Sequence, residues 1–201
     1  MTVAEKTGVL AAALMVCTAT YCSPGPDADL ADDTGTSAAA SEPASEQQAK
    51  RLNDAEIAAI VVAANSIDVR YGQIARQRAT DADVKQFAET MIRDHTAVNE
   101  SAVELVTRLG VTPQDNDVSR SLESSAEETR RSLMTKSGAE FDRAYIANEV
   151  TYHRAVIDAL DDLLIPNATN AELRETLVSV RPAFEAHLQH AQRLEQSLGG
   201  S

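Results

Sequence analysis

Four segments of this chain repeat apolar residues every three to four positions, and each opens on a polar residue with an acid three places later. A strand needs a period of two, so this pattern predicts an all-α fold. The first segment, roughly 54–79, aligns Ile57, Ile60, Val61, Ala64, Tyr71 and Ala75. The second, roughly 82–109, aligns Val84, Phe87, Met91, Val98, Leu105 and Leu109. The third, roughly 138–164, aligns Ile146, Val150, Ile157, Leu160 and Leu164. The fourth, roughly 170–198, aligns Leu173, Leu177, Val180, Phe184, Ala191 and Leu194. The openings pair Asn53 with Glu56, Thr80 with Asp83, Ser137 with Glu140 and Thr169 with Glu172, the spacing of a capping box. Gly110 is placed to close the second helix and Pro166 to stop the third.

The connections set the topology. Only a few residues separate helices one and two, or three and four, so each pair is expected as an antiparallel hairpin. Between the hairpins lie 28 residues, "VTPQDNDVSRSLESSAEETRRSLMTKSG", in which Val118, Leu122, Ala126, Thr129 and Leu133 predict a short helix. A long crossover joining two helical hairpins is the ferritin-like arrangement, expected here over residues 51–198.

The first 50 residues read differently. Lys6 precedes the apolar run Gly8–Val16, too short to span a bilayer, and residues 1–22 are expected to be a secretory signal. Neither Cys17 nor Cys22 follows a small residue, so the sequence leaves a lipid anchor open. Residues 23–50 hold Ser, Ala, Pro, Gly and acid with almost no large apolar side chain, and are expected to form a disordered linker. The expected location is the periplasm or the outer membrane, with no membrane span in the mature domain. A net charge of −13 repels phosphate backbones, which argues against nucleic acid and leaves an envelope protein as the partner to consider. Both cysteines precede the helices, so thiolates are no part of the core.

Each helix also turns a metal-competent side chain toward its apolar stripe. These are Asp68 on the first, His95 on the second, Glu149 and His153 on the third, and His187 on the fourth. His190 points off the stripe. Buried carboxylates without partners cost several kcal/mol, roughly, so mutual contact is the simplest resolution. At 1.5 Å per residue Asp68 and His95 should lie level, and Glu149 should match His187, while His153 falls a turn away, roughly 6–9 Å along the axis. Imidazole and carboxylate in a bundle core suit one divalent ion of Zn, Fe, Mn or Cu. Asp94, next to His95, is positioned to hold that imidazole's second nitrogen, and Tyr145 to donate into the same network. The alternative is a set of core polar groups bonded to one another. Pro182 removes one helical amide bond near His187, through a tolerated bend or one that aims the imidazole.

The segments "FAETMIRDHTAVNESAVELVTRLGVTP" (87–113), "FDRAYIANEVTYHRAVI" (141–157) and "RPAFEAHLQHAQRL" (181–194) resemble the bacterial exported family called domain of unknown function 4142. The resemblance spans roughly 52–197 and implies a ferritin-like bundle of envelope location. The family's outer-membrane label implies no barrel here, since the sequence has no barrel strands. Its first helix often carries Glu where this chain has Asp68, which shortens a ligand's reach. The resemblance implies no established activity. Ferritin-like di-iron enzymes use Glu-x-x-His on two helices, whereas Ile92 and Phe184 stand three residues before His95 and His187. Glu149 and His153 are four apart. The sequence therefore predicts an exported helical bundle binding one divalent metal in an envelope or stress-related role. A metal-free envelope interaction module is the alternative, and a ferritin-like redox enzyme ranks last.

Overall fold

Helix starts and stops explain most of the architecture, and the computed structural model describes them over residues 51–200. The expected signal at 1–22 and linker at 23–50 lie outside the described residues. Five long helices follow: α1 (Asp54–Arg78), α2 (Ala82–Arg108), α3 (Asp117–Met134), α4 (Gly138–Ala159) and α5 (Ala171–Gly199). No strand occurs among the described residues, and no described helix is long and apolar enough to cross a membrane. α1 pairs chiefly with α2, and α4 with α5. The hairpins meet through α2 with α5 and α1 with α4, while the crossover helix α3 lies mainly on α1 and touches α4.

The caps depart from expectation in an orderly way. Asn53 and Glu56 form the reciprocal box. At α2 the cap is Asp81 rather than Thr80, and at α5 it is Asn170 rather than Thr169. Ser137 caps α4 without a side-chain bond, and Gly138 after it takes φ +55°. Gly110 closes α2 at φ +65°, with its amide on the Thr107 carbonyl and the Val111 amide on that of Val106, a Schellman ending. Pro166 does not stop the third helix. The backbone widens into a π-helical turn (Leu160–Leu164) and continues through a short turn (Ile165–Asn167) that contains the proline. A π turn bonds residues five apart, which opens the spiral where a proline ring would otherwise clash. Pro182 is exposed inside α5, which continues on both sides of it.

The displaced threonines have another task. Thr80 donates its amide (2.9 Å) and hydroxyl (2.5 Å) to the Asp142 carboxylate, which also accepts the Asp81 amide at 3.0 Å. Thr169 donates its amide (2.8 Å) and hydroxyl (2.5 Å) to Asp54, which also accepts the Asn170 amide at 3.0 Å. Each hairpin's turn is thus clasped by an aspartate on the first helix of the other hairpin. Asp142 is 1% exposed. Replacing it with alanine strands buried donors and is expected to cost about 2–3 kcal/mol in urea denaturation. Asp54, half-buried, should lose roughly 1 kcal/mol under the same change.

Core packing then isolates one polar layer. One apolar cluster gathers Tyr71, Phe87, Met91, Tyr145, Ile146 and Ala191; the other gathers Ile57, Leu105, Ile157, Leu160, Leu177 and Phe184. Buried polar residues from every helix of the bundle fall between these two clusters: Asn65 and Asp68 on α1, His95 on α2, Glu149 and His153 on α4, and His187 on α5; the other buried acids, Glu56 and Asp142, sit near the helix starts.

Candidate metal centre

Every candidate ligand is buried. Asp68, Glu149 and His153 are fully enclosed, His95 is 2% exposed and His187 7%. One ligand atom each from His95, His153 and His187 lies within 4.8 Å of the others, and the same holds for Asp68, Glu149 and His153. His153 belongs to both groups. The turn of separation expected for His153 is therefore not observed. Because the third helix continues to Asn167, His153 lies 14 residues before that end and His187 lies 16 after Ala171. The two imidazoles are level for that reason.

Hydrogen bonding determines which nitrogen of each imidazole carries a proton. Asn65 donates from Nδ2 to the Val61 carbonyl (2.8 Å), leaving its Oδ1 as an acceptor 2.8 Å from His95 Nδ1. His95 Nδ1 must then be protonated and its Nε2 bare. His153 Nδ1 lies 3.0 Å from the Glu149 carbonyl oxygen, an acceptor only, so its Nε2 is bare as well. His187 Nε2 donates to Asp94 Oδ2 at 3.0 Å, which leaves Nδ1 bare, buried and without a partner. The bare nitrogens of His95 and His153 face each other at 3.4 Å. Asp68 Oδ2 sits 3.3 Å from the first and 3.6 Å from the second, and neither of its oxygens has a hydrogen-bond partner. Four ligands with bonds near 2.1 Å in a tetrahedron stand about 3.4 Å apart, so these three separations have tetrahedral spacing.

The electrostatics follow from enclosure. Burial raises the Asp68 pKa from 3.8 to about 8. Burial, and then the neighbouring charge of Asp68, raises Glu149 well above the ordinary glutamate value. The imidazoles move the other way. Burial lowers His153 to about 4, helped by His187, and lowers His95 well below 6.5, helped by both neighbours. Burial also lowers His187, against the pull of Asp94. Asp94 itself resists burial through bonds from Arg93 and His187, which hold it below its usual range. The layer thus holds two carboxyls and three neutral imidazoles, and no Lys or Arg is among its buried residues. Buried acids and neutral imidazoles set this close together could hold a metal ion.

Asp94 does hold a candidate imidazole, but that of His187 rather than His95. Its backbone neighbour points into the bundle while Asp94 points toward α5. Asn65 takes the part expected of Asp94, and sequence reading missed it. Its signal was a polar residue three places before Asp68, on the same helical face. Tyr145 is fully buried and its hydroxyl bonds none of the candidate ligands. Its pKa rises well above 10 through burial, then through the charges of Glu149 and Asp68. Tyr71 and Tyr152 donate to the carbonyls of Ala126 (3.3 Å) and Ala64 (2.8 Å). His190 is half-buried and its ring meets Phe87 edge-on at 5.2 Å, apart from the cluster. Phe184 stacks on His95 at 5.1 Å with 5° between planes.

A family model described as "Domain of unknown function (DUF4142)" matches residues 38–194. No match was found among curated proteins. Among solved structures, the chain is similar to the crystal structure of a Streptomyces coelicolor protein described as secreted (DUF305). The TM-score is 0.62 at 13% identity, covering 72% of this chain and 92% of that one. That likeness supports the helical fold alone.

Proposed function

The chain belongs to the family of domain of unknown function 4142, and we propose that its bundle is a receptor for one divalent transition-metal ion. His95 and His153 would bind through Nε2, His187 through Nδ1, and Asp68 through Oδ2. The observation that carries this reading is that the bare Nε2 atoms of His95 and His153 face each other at 3.4 Å in a buried layer, with a ring nitrogen of His187 within 4.8 Å, while one nitrogen of each imidazole is already committed to an acceptor. Facing lone pairs repel unless a cation or a proton stands between them. Three imidazoles and a carboxylate suit Zn, Fe, Mn or Cu. Glu149 beside Asp68 brings a second negative charge against the ion's two positive ones. Four protein ligands leave no evident open position, which favours holding a metal over catalysis.

An exported, envelope-associated role in metal handling or stress belongs to the same proposal and rests on Lys6 with the apolar run after it. Cell fractionation tests that part. The metal reading is tested by titrating chelator-treated, untagged protein with Co(II). Visible bands of tetrahedral intensity that saturate at one equivalent support it, and elemental analysis of the purified protein should find one ion per chain. A protein that neither retains metal nor competes with a weak chelator ends the proposal.

The groups that orient the imidazoles give a graded prediction. Asp94→Ala and Asn65→Leu remove the acceptors for His187 and His95, and each should weaken metal binding roughly 10- to 100-fold. Chelator competition measures this. An unchanged affinity in both would mean that ring orientation does not depend on those bonds.

A further inference from the structure

Beside the metal centre, an apolar cleft of about 260 Å³ opens between α1, α3 and α4. It enters at the exposed residues Ser125 and Ala155 and ends on the buried side chains of Ile60, Leu177 and Phe184. No charged residue lines it. The two tyrosines in its wall already spend their hydroxyls on backbone carbonyls. Water inside would find few partners and be displaced readily by an apolar molecule. A charged group would be taken from water without compensation.

The end wall links the cleft to the imidazoles. The Phe184 ring centroid lies 5.1 Å from that of His95, 6.4 Å from His153 and 6.2 Å from His187. Asn65, the acceptor for His95, lines the cleft too. We propose that this cleft binds a neutral apolar small molecule, lodged with its inner end against Phe184. A dry cavity of about 150 Å³ takes benzene, so this volume suits a fused two-ring aromatic or an alkyl chain of about eight carbons. The inference does not depend on metal: the cleft is built by packing, and its lining contains none of the proposed ligands.

The test uses the full chain after chelator treatment, with 1-naphthol as a neutral fluorescent probe. One saturable site is expected. Ala155→Phe on α4 and Ser125→Phe on α3 fill the mouth from exposed positions, and each should weaken binding at least about tenfold. Val103→Phe, at an exposed site on α2, should leave it unchanged. Octanol should displace the probe at lower concentration than octanoate, because the lining offers no counter-charge. Three results overturn the proposal: no saturable binding up to the probe's solubility, both fillers leaving affinity within twofold, or octanoate competing better than octanol. A concentration-dependent dimer abolished by Ala155→Phe would assign the cleft to a second copy of the chain, and overturn it too. Repeating the titration on His153→Ala separates this outcome from that of the metal reading.

Discussion

His153→Ala is expected to cut metal retention from one ion per chain to a small fraction after dialysis. His153 is the residue common to both ligand groups, and its Nε2 faces both His95 Nε2 and Asp68 Oδ2. Four-ligand structural sites hold zinc with about 10–16 kcal/mol, so one ligand is worth roughly 3–4 kcal/mol, or two to three decades of affinity. His190→Ala supplies the control, because that imidazole packs on Phe87 away from the cluster and its loss should leave retention intact. His153→Gln guards against a merely structural effect: it fills the same space with a poor ligand and should fail to bind while keeping the helical signal. Equal retention in the parent and in both His153 variants would remove the site from consideration.

The second large effect concerns acidity. Metal-free protein is expected to lose stability as pH rises from about 7 to 8. Asp68 has a folded-state pKa raised to about 8 and Glu149 one raised well above its ordinary value, both through burial first. The folded chain keeps the Asp68 proton at pH 7, while the unfolded chain has shed it by about pH 5. Unfolding then releases protons, and rising pH favours it by about 1.4 kcal/mol per unit for each acid still protonated. The Asp68 share ends near pH 8, where its folded form ionises as well. Histidines contribute with the opposite sign. His153 is lowered to about 4, so between about 4 and 6.5 unfolding takes up a proton and rising pH stabilises the fold. The two effects oppose each other below 6.5, and the acids dominate above 7. Urea midpoints on chelator-treated protein should therefore fall between pH 7 and 8. Asp68→Asn should flatten the fall and Asp68→Asn with Glu149→Gln should abolish it. A midpoint that climbs over that interval in the parent contradicts protonated carboxyls in the core.

Much of this was legible in the sequence because helices announce themselves locally. Apolar period, short connections and the crossover's own stripe are properties of neighbouring residues, and they predicted the hairpins and α3. Cap positions slipped by one residue at Thr80 and Thr169 because each threonine is drawn away by an aspartate 62 or 115 places distant in the chain. No local rule sees that partner. Pro166 misled in a similar way, since a proline reads as a stop unless the backbone ahead of it widens. The inward residues were legible because polar side chains interrupted four separate stripes. Their pairings were not. Asp94 and His95 are adjacent in sequence, yet successive helical residues point about 100° apart, so they face different neighbours. Asn65 was overlooked because an amide on an apolar face says nothing of which imidazole lies across from it.

The crossed aspartate clasps carry a consequence for how the molecule comes apart. Neither bend can complete its amide bonding until the opposite half has docked, so each half is an unfinished object by itself. A fragment holding only residues 51–110, or only 138–200, would leave those turns open. Loss of structure should accordingly proceed in a single step, with no lasting half-folded species for a protease to seize.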